Sequence, residues 1–150
     1  MPVQFEIVTQ ERLVYSEKVD MVVVDGLDGR LGILPNHSQL LTGLKVSELL
    51  VRRGKIEEVF AVSGGVLDVR PDRILVLADT AEHSDEIDLK RADEARKRAE
   101  KFLETQWRVA ASTAESQLDM MSALRRANVR LRVGRQRRGT LGAMTFEETS

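Results

Sequence analysis

The feature that most constrains this chain is a change of periodicity near residue 86. Before it, stretches rich in Val, Ile and Leu recur about every ten residues with turn residues between them. After it comes a long run from Asp88 with no Gly or Pro. Strands are predicted at Val3–Val8, Leu13–Val24, Leu31–Leu34, Gln39–Leu41, Lys45–Arg52, Lys55–Val62, Gly64–Val69 and Ile74–Leu77. Asp25-Gly26, Asp28-Gly29, Arg53-Gly54 and Pro71-Asp72 supply the turns. Short strands with no helix between them predict an antiparallel β-sandwich or barrel over residues 1–85.

Residues 88–111 are rich in Ala, Glu, Lys and Arg, all good helix formers. Ala92, Ala95, Ala99, Phe102 and Leu103 recur at three- and four-residue spacing and mark one buried stripe. Ser112-Thr113 weakens the run. A second helix follows through Ala114, Leu118, Met121, Leu124, Ala127 and Leu131, with its end expected at Gly134. Two helices with a short link predict an antiparallel hairpin over 86–138, and 139–150 reads as a flexible tail. A seam made mostly of alanine is weak. A buried Leu or Phe contributes roughly 1.5–3 kcal/mol, against about 0.8 for one methyl-sized group. Such a hairpin is able to change partners at small cost, which is what a switch requires.

Composition removes several function classes. The chain has no cysteine, so it has no disulfide framework, thiolate metal site or cysteine nucleophile. No apolar run reaches the roughly 20 residues of a membrane span, and Met1-Pro2-Val3-Gln4-Phe5-Glu6 is not the start of a signal segment. The net charge of −1 hides an asymmetry. Residues 125–138, RRANVRLRVGRQRR, hold seven arginines and no acid, which leaves −8 for the rest of the chain. A basic segment on an acidic body suits an acidic docking surface, or a solvated helix face. Nucleic-acid binding is not expected, because the segment lacks interleaved aromatics and the body is acidic.

Gly29-Arg30-Leu31-Gly32-Ile33-Leu34-Pro35-Asn36-His37 resembles the signature of the epsilon subunits of F-type ATP synthases, in which a glycine turn leads to a Leu-Pro-x-His corner. Ala61-Val62-Ser63-Gly64-Gly65-Val66-Leu67-Asp68-Val69 is similar to that family's Val-Ser-Gly-Gly strand, and Val76-Leu77-Ala78-Asp79-Thr80-Ala81-Glu82 to its closing strand and linker. Glu86-Ile87-Asp88 and the Ala-rich helix follow in order, so the resemblance spans about residues 3–133.

The resemblance implies a non-catalytic central-stalk rotor subunit: an N-terminal antiparallel β-sandwich followed by a C-terminal two-helix antiparallel hairpin. The sandwich would bind the gamma subunit and the c-ring. The hairpin would fold up, or extend along gamma toward the alpha and beta subunits and hinder ATP hydrolysis. The protein would sit at the cytoplasmic face of a bacterial cell membrane, reaching the membrane only through the complex. The alternative is an independent soluble ATP-sensing module.

For partner contact the resemblance points to Arg30, Leu31, Pro35 and His37 in the signature loop, and to Arg125, Arg126, Arg130 and Arg132 in the second helix. Arg30 stands where the family commonly has an acidic residue, and Ser47 stands where a glycine is usual. Pro35 stiffens the turn and His37 reads as a corner residue bonding loop backbone. Gly64-Gly65 feeds a strand rather than a helix, so it predicts a bulge or close backbone approach, not a phosphate cradle.

No cofactor is required, but the resemblance implies one ligand, a regulatory ATP. Ile87-Asp88-Leu89-Lys90-Arg91-Ala92 resembles the Ile-Asp-x-x-Arg-Ala motif of ATP-binding bacterial epsilon subunits. Asp88 suits a nucleoside amine or hydroxyl, and Arg91, Arg98 and either Arg125 or Arg126 suit phosphates, with Glu82 just upstream. The same residues equally fit a helix N-cap followed by exposed charges in i, i+4 pairs. No general base, metal cluster or phosphate loop accompanies them, so no hydrolysis is expected.

Overall fold

The computed structural model describes residues 1–106 and 114–148, with side chains for 1–105 and 114–136. It divides into two compact units, Met1–Ser84 and Asp85–Ser150.

The first unit holds eight strands: β1 (Val3–Val8), β2 (Leu13–Val19), β3 (Met21–Gly26), β4 (Gly29–Ile33), β5 (Leu40–Arg53), β6 (Ile56–Arg70), β7 (Arg73–Ala78) and β8 (Ala81–His83). Their order is β2-β1-β7-β6-β5-β3-β4, with β8 added to β6. Only β1 and β7 pair in parallel; every other pairing is antiparallel. The period-2 pattern sets which face is buried: Val3, Phe5 and Ile7 of β1 point inward, as do Ile74 and Val76 of β7. Phe5 of β1 and Val24 of β3 lie far apart along this path yet share one core with Ile33, Leu49, Phe60 and Leu67. The sheet therefore folds over itself as a sandwich, with β5 and β6 long enough to serve both layers.

Three strand predictions differ from the structure. The stretch Leu13–Val24 breaks at Asp20, whose carboxylate accepts a 2.7 Å hydrogen bond from the Gly54 amide at the β5–β6 turn. The pieces Gln39–Leu41 and Lys45–Arg52 are one strand, because Thr42, Gly43 and Leu44 continue the ladder opposite Leu67, Val66 and Gly65. Likewise Lys55–Val62 and Gly64–Val69 are one strand through Gly64-Gly65. Gly65 has a φ of 139°, and any Cβ there would collide with the Leu77 carbonyl oxygen. This is the close backbone approach that the glycine pair predicts.

The second unit begins with a short 3-10 turn, Ser84–Glu86, partly shared with the boundary. Helix α1 is Leu89–Gln106 and α2 is Ala114–Glu148. The link expected at Ser112-Thr113 lies outside the described residues. Ala92, Ala99, Ala127 and Leu131 are buried, whereas Leu118 and Met121, expected in the stripe, are exposed. Val129 and Val133, which the expected stripe omits, are buried too.

The end expected at Gly134 is corrected. The helix runs on to Glu148, through the stretch read as a flexible tail. Gly134 is an interior residue whose missing Cβ leaves room for Leu89 and Ile87. That contact sets the start of α1 against a late turn of α2, so the two helices are antiparallel.

Candidate functional site

Asp88 Oδ1 accepts hydrogen bonds from the amides of Lys90 at 3.1 Å and Arg91 at 3.2 Å, and the Asp88 carbonyl accepts from the amide of Ala92. Asp88 is thus the N-cap of α1, satisfying donors that the first turn leaves open. Ala92 is fully buried; Asp88, Arg91 and Arg98 are exposed and Ile87 is half-buried. The N-cap reading is met, with Oδ1 serving both amides.

Helix geometry, about 100° per residue, sorts the remaining charges. On α1, Arg91 and Arg98 lie on one flank of the Ala92–Ala99 stripe; Asp93, Arg96 and Glu100 lie on the other. On α2, Arg126 and Arg130 lie on one flank of Ala127 and Leu131; Asn128, Arg132 and Arg135 lie on the other. A cavity lined by Arg96, Asn128, Leu131, Arg132, Arg135 and Gln136 fixes which flanks match. Arg91, Arg98, Arg126 and Arg130 therefore share one side of the helical pair.

By the same helix geometry Arg126 lies on that side of α2, whereas Arg125 lies off it, one turn before the buried Val129. Arg91, Arg98 and Arg126 make no ion pair among the described residues. The i, i+4 pairs expected of a solvated helix occur on the opposite flank. Asp93 meets Arg96 at 2.7 Å and Lys97 at 3.2 Å, and Arg96 meets Glu100 at 3.8 Å. Hydrogen bonds from Arg96 and then Lys97 hold the Asp93 carboxyl below the ordinary carboxylate range. Glu82 belongs to the other unit, on β8 opposite Ala61.

In the sandwich, backbone hydrogen bonds tie down the corner of the signature loop. The Asn36 amide donates to the Pro71 carbonyl at 3.2 Å and the His37 amide to Leu34 at 3.3 Å. His37 Nδ1 lies 2.7 Å from the Ser38 carbonyl, the corner role expected of it. Pro35 is half-buried, and Leu31 packs against the core. Arg30 is exposed and lies 3.6 Å from Glu48. Leu34 and Leu41 stand exposed near this end, and a groove of about 410 Å³ is lined by Gln39, Leu40, Leu41, Asp68, Val69 and Arg70. A tethered loop with the exposed Leu34, the exposed Leu41 of β5 and a polar groove suit protein docking.

A further cluster has no local sequence signal. Tyr15 of β2 donates 2.7 Å to Glu58 Oε2, and His83 Nε2 of β8 lies 3.4 Å from Glu58 Oε1. Phe5, Tyr15, Phe60 and His83 form a chain of edge-on and tilted rings. Burial, reinforced by the hydrogen bond to Glu58, pushes the Tyr15 phenol above its ordinary value. These groups pin β8 to the sandwich. Among the described residues no group of His, Cys, Asp and Glu suits a metal ion, and no helix is long and apolar enough to cross a membrane.

A β-sandwich followed by an antiparallel helix pair is the class of two-domain subunit to which the comparisons lead. Residues 2–84 match the β-sandwich domain of the ATP synthase delta/epsilon chain, and residues 85–134 match its long alpha-helix domain. The chain belongs to the epsilon-chain family of F-type ATP synthases, non-catalytic subunits of that complex.

The ATP synthase epsilon chain of Dehalococcoides mccartyi is 47% identical over 135 residues, covering 90% of this chain and 94% of its own. That of Herpetosiphon aurantiacus is 46% identical over 138 residues, covering 92% and 98%. Two solved structures share the fold. A chain of the Euglena gracilis mitochondrial ATP synthase aligns with a TM-score of 0.70 at 18% identity, covering 83% of this chain and 76% of its own. A chain of the Tetrahymena thermophila mitochondrial ATP synthase central stalk and c-ring aligns at 0.60 and 13%, covering 89% and 97%.

Proposed function

We propose that this epsilon chain is a central-stalk rotor component whose sandwich docks on the gamma subunit and c-ring and whose helical pair restrains ATP hydrolysis. The observation that carries it is the side of the helical pair that gathers Arg91, Arg98, Arg126 and Arg130, with three of the four guanidinium groups in no ion pair among the described residues. Uncommitted guanidinium groups on a helix surface suit acidic protein surfaces or phosphate oxygens.

With the helices paired, that side is complete and accepts a regulatory ATP. Asp88 and Ile87 lie at its head, and the arginines face the phosphates. With the helices apart, the same arginines of α2 are offered to acidic patches of the alpha and beta subunits. The end of the sandwich bearing Arg30, Leu31, Pro35 and His37 meets the rotor ring, in keeping with the Tetrahymena chain's place in a central stalk and c-ring assembly. The subunit reaches the cytoplasmic face of the cell membrane through these partners.

The test is reconstitution of the synthase with Arg126→Gln and Arg130→Gln together. ATP hydrolysis should rise several-fold over the parent, and raising salt should release the parent's inhibition by screening the pairs. Unchanged hydrolysis and no salt effect would refute the restraint. A chain that fails to co-purify with gamma in stoichiometric amount would instead be a free ATP sensor.

A further inference from the structure

The cavity on the opposite flank is not used by that reading. It has a volume of about 390 Å³, within the range of small-molecule sites. Three of its six lining residues are arginines, one from α1 and two from α2, and none of the described lining residues is acidic. Asn128 and Gln136 add amide groups to the lining, and Leu131 adds an apolar side chain. Arg135 makes no ion pair among the described residues. Arg96 is positioned from outside the cavity, by Asp93 at 2.7 Å and Glu100 at 3.8 Å, and its Nε–H is buried with no acceptor. Two neighbouring carboxylates thus hold one guanidinium in place without lining the cavity themselves.

From this we infer a second anion site, distinct from the Asp88 and Arg91 side, that takes a diphosphate or triphosphate group between Arg96, Arg132 and Arg135. Planar guanidinium forks match phosphate oxygens two at a time, so two arginines of α2 with Arg96 held beside them suit a multiply charged phosphate better than a monovalent anion. The amides of Asn128 and Gln136 take the remaining oxygens or a bridging ester. Because α1 and α2 both supply walls, the site exists only while the helices are paired. A bound phosphate group therefore stabilises the paired state by mass action. The inference stands on this cavity alone, whether or not the other flank holds a nucleotide.

The experiment is calorimetric titration of the full chain with sodium pyrophosphate and, separately, with ATP, each with helical circular dichroism as a check on folding. Pyrophosphate should bind, raise the melting temperature of the helical signal, and lose at least tenfold in affinity in Arg135→Gln and in Arg132→Gln. Any pyrophosphate held on the Arg91 side is a separate component that Arg91→Gln removes, and that variant should leave the Arg135-dependent component within twofold of the parent. Should Arg135→Gln lose helical signal, Arg135→Lys keeps the charge and stem and should still weaken binding several-fold by removing the fork. ATP held through its phosphates here would follow the Arg135 variants; ATP held on the other flank would follow Arg91→Gln and leave the pyrophosphate result unchanged. No pyrophosphate heat from the parent, equal loss in Arg91→Gln and Arg135→Gln, or indifference to both Arg132 and Arg135 overturns the site.

Discussion

The two units of this chain bury different kinds of residue. The sandwich closes on Phe5, Phe60, Ile7, Ile33, Leu49, Leu67 and Ile74, all essentially inaccessible to water. Along the α1 side of the helical pair the fully buried residues are Ala92 and Ala99, and only α2 adds Leu131, Val129 and Val133. Burial stabilises in proportion to apolar area, so the sandwich resists opening and the helix pair does so weakly. A rigid body and a helical pair that gives way easily are the two properties the proposed rotor-borne regulator would need.

The contrast breaks most visibly at the cores. Phe60→Ala should cost about 3–5 kcal/mol, the range for large-to-small changes at fully buried aromatics. Ala99→Gly should cost about 1 kcal/mol, mainly helix propensity. Hydrogen exchange followed segment by segment distinguishes them: Phe60→Ala should raise exchange throughout residues 3–83, and Ala99→Gly only in residues 89–136. A cost in Ala99→Gly equal to that in Phe60→Ala would end the comparison.

A smaller effect sharpens the sandwich side of it. Tyr15 donates to Glu58, and its phenol proton is held more tightly in the folded protein than in the unfolded chain. A raised folded pKa means that this contribution is complete below the unfolded value of about 10 and is lost as pH rises above it. Denaturant unfolding measured between neutral pH and pH values near 11 should show stability falling in the parent. Tyr15→Phe should be less stable at neutral pH by up to about 1.5–3 kcal/mol, the scale of a hydrogen bond to a charged group, and should lack the alkaline decline. An identical slope in both proteins would mean that another group titrates there.

Much of this was legible in the chain, and what was not shares a cause. The switch of period near residue 86 gives the sandwich and the helical pair, because alternation and 3.6-residue spacing are local properties. The resemblance carried by Gly29–His37 and Ala61–Val69 led to the family shown by the matches over 2–134. The misses depend on partners distant in sequence. Asp20 ends a strand because Gly54 lies beside it, 34 residues on. Gly134 looks like a helix stop until Ile87 and Leu89 are seen against it. The Tyr15, Glu58 and His83 cluster joins three strands, and no spacing announces it. That Arg126 and not Arg125 shares a side with Arg91 and Arg98 depends on the relative rotation of two helices, which Arg96 and its cavity fix.

The smallest effect tests the head of α1, where the cap and the proposed ligand contact fall on one side chain. Asp88 already serves two backbone amides, so Asp88→Ala should cost about 1 kcal/mol of helical stability with no ligand present. Serine caps about as well as aspartate but is too short and uncharged to reach past the first turn. Asp88→Ser should therefore keep the parent's thermal midpoint at 222 nm while losing several-fold in ATP affinity by calorimetry. Separation of the two readouts assigns both roles to Asp88. If Asp88→Ser retains full ATP binding, the carboxylate is a cap and nothing more, and the arginine side must hold its anions through Arg91, Arg98 and Arg126 alone.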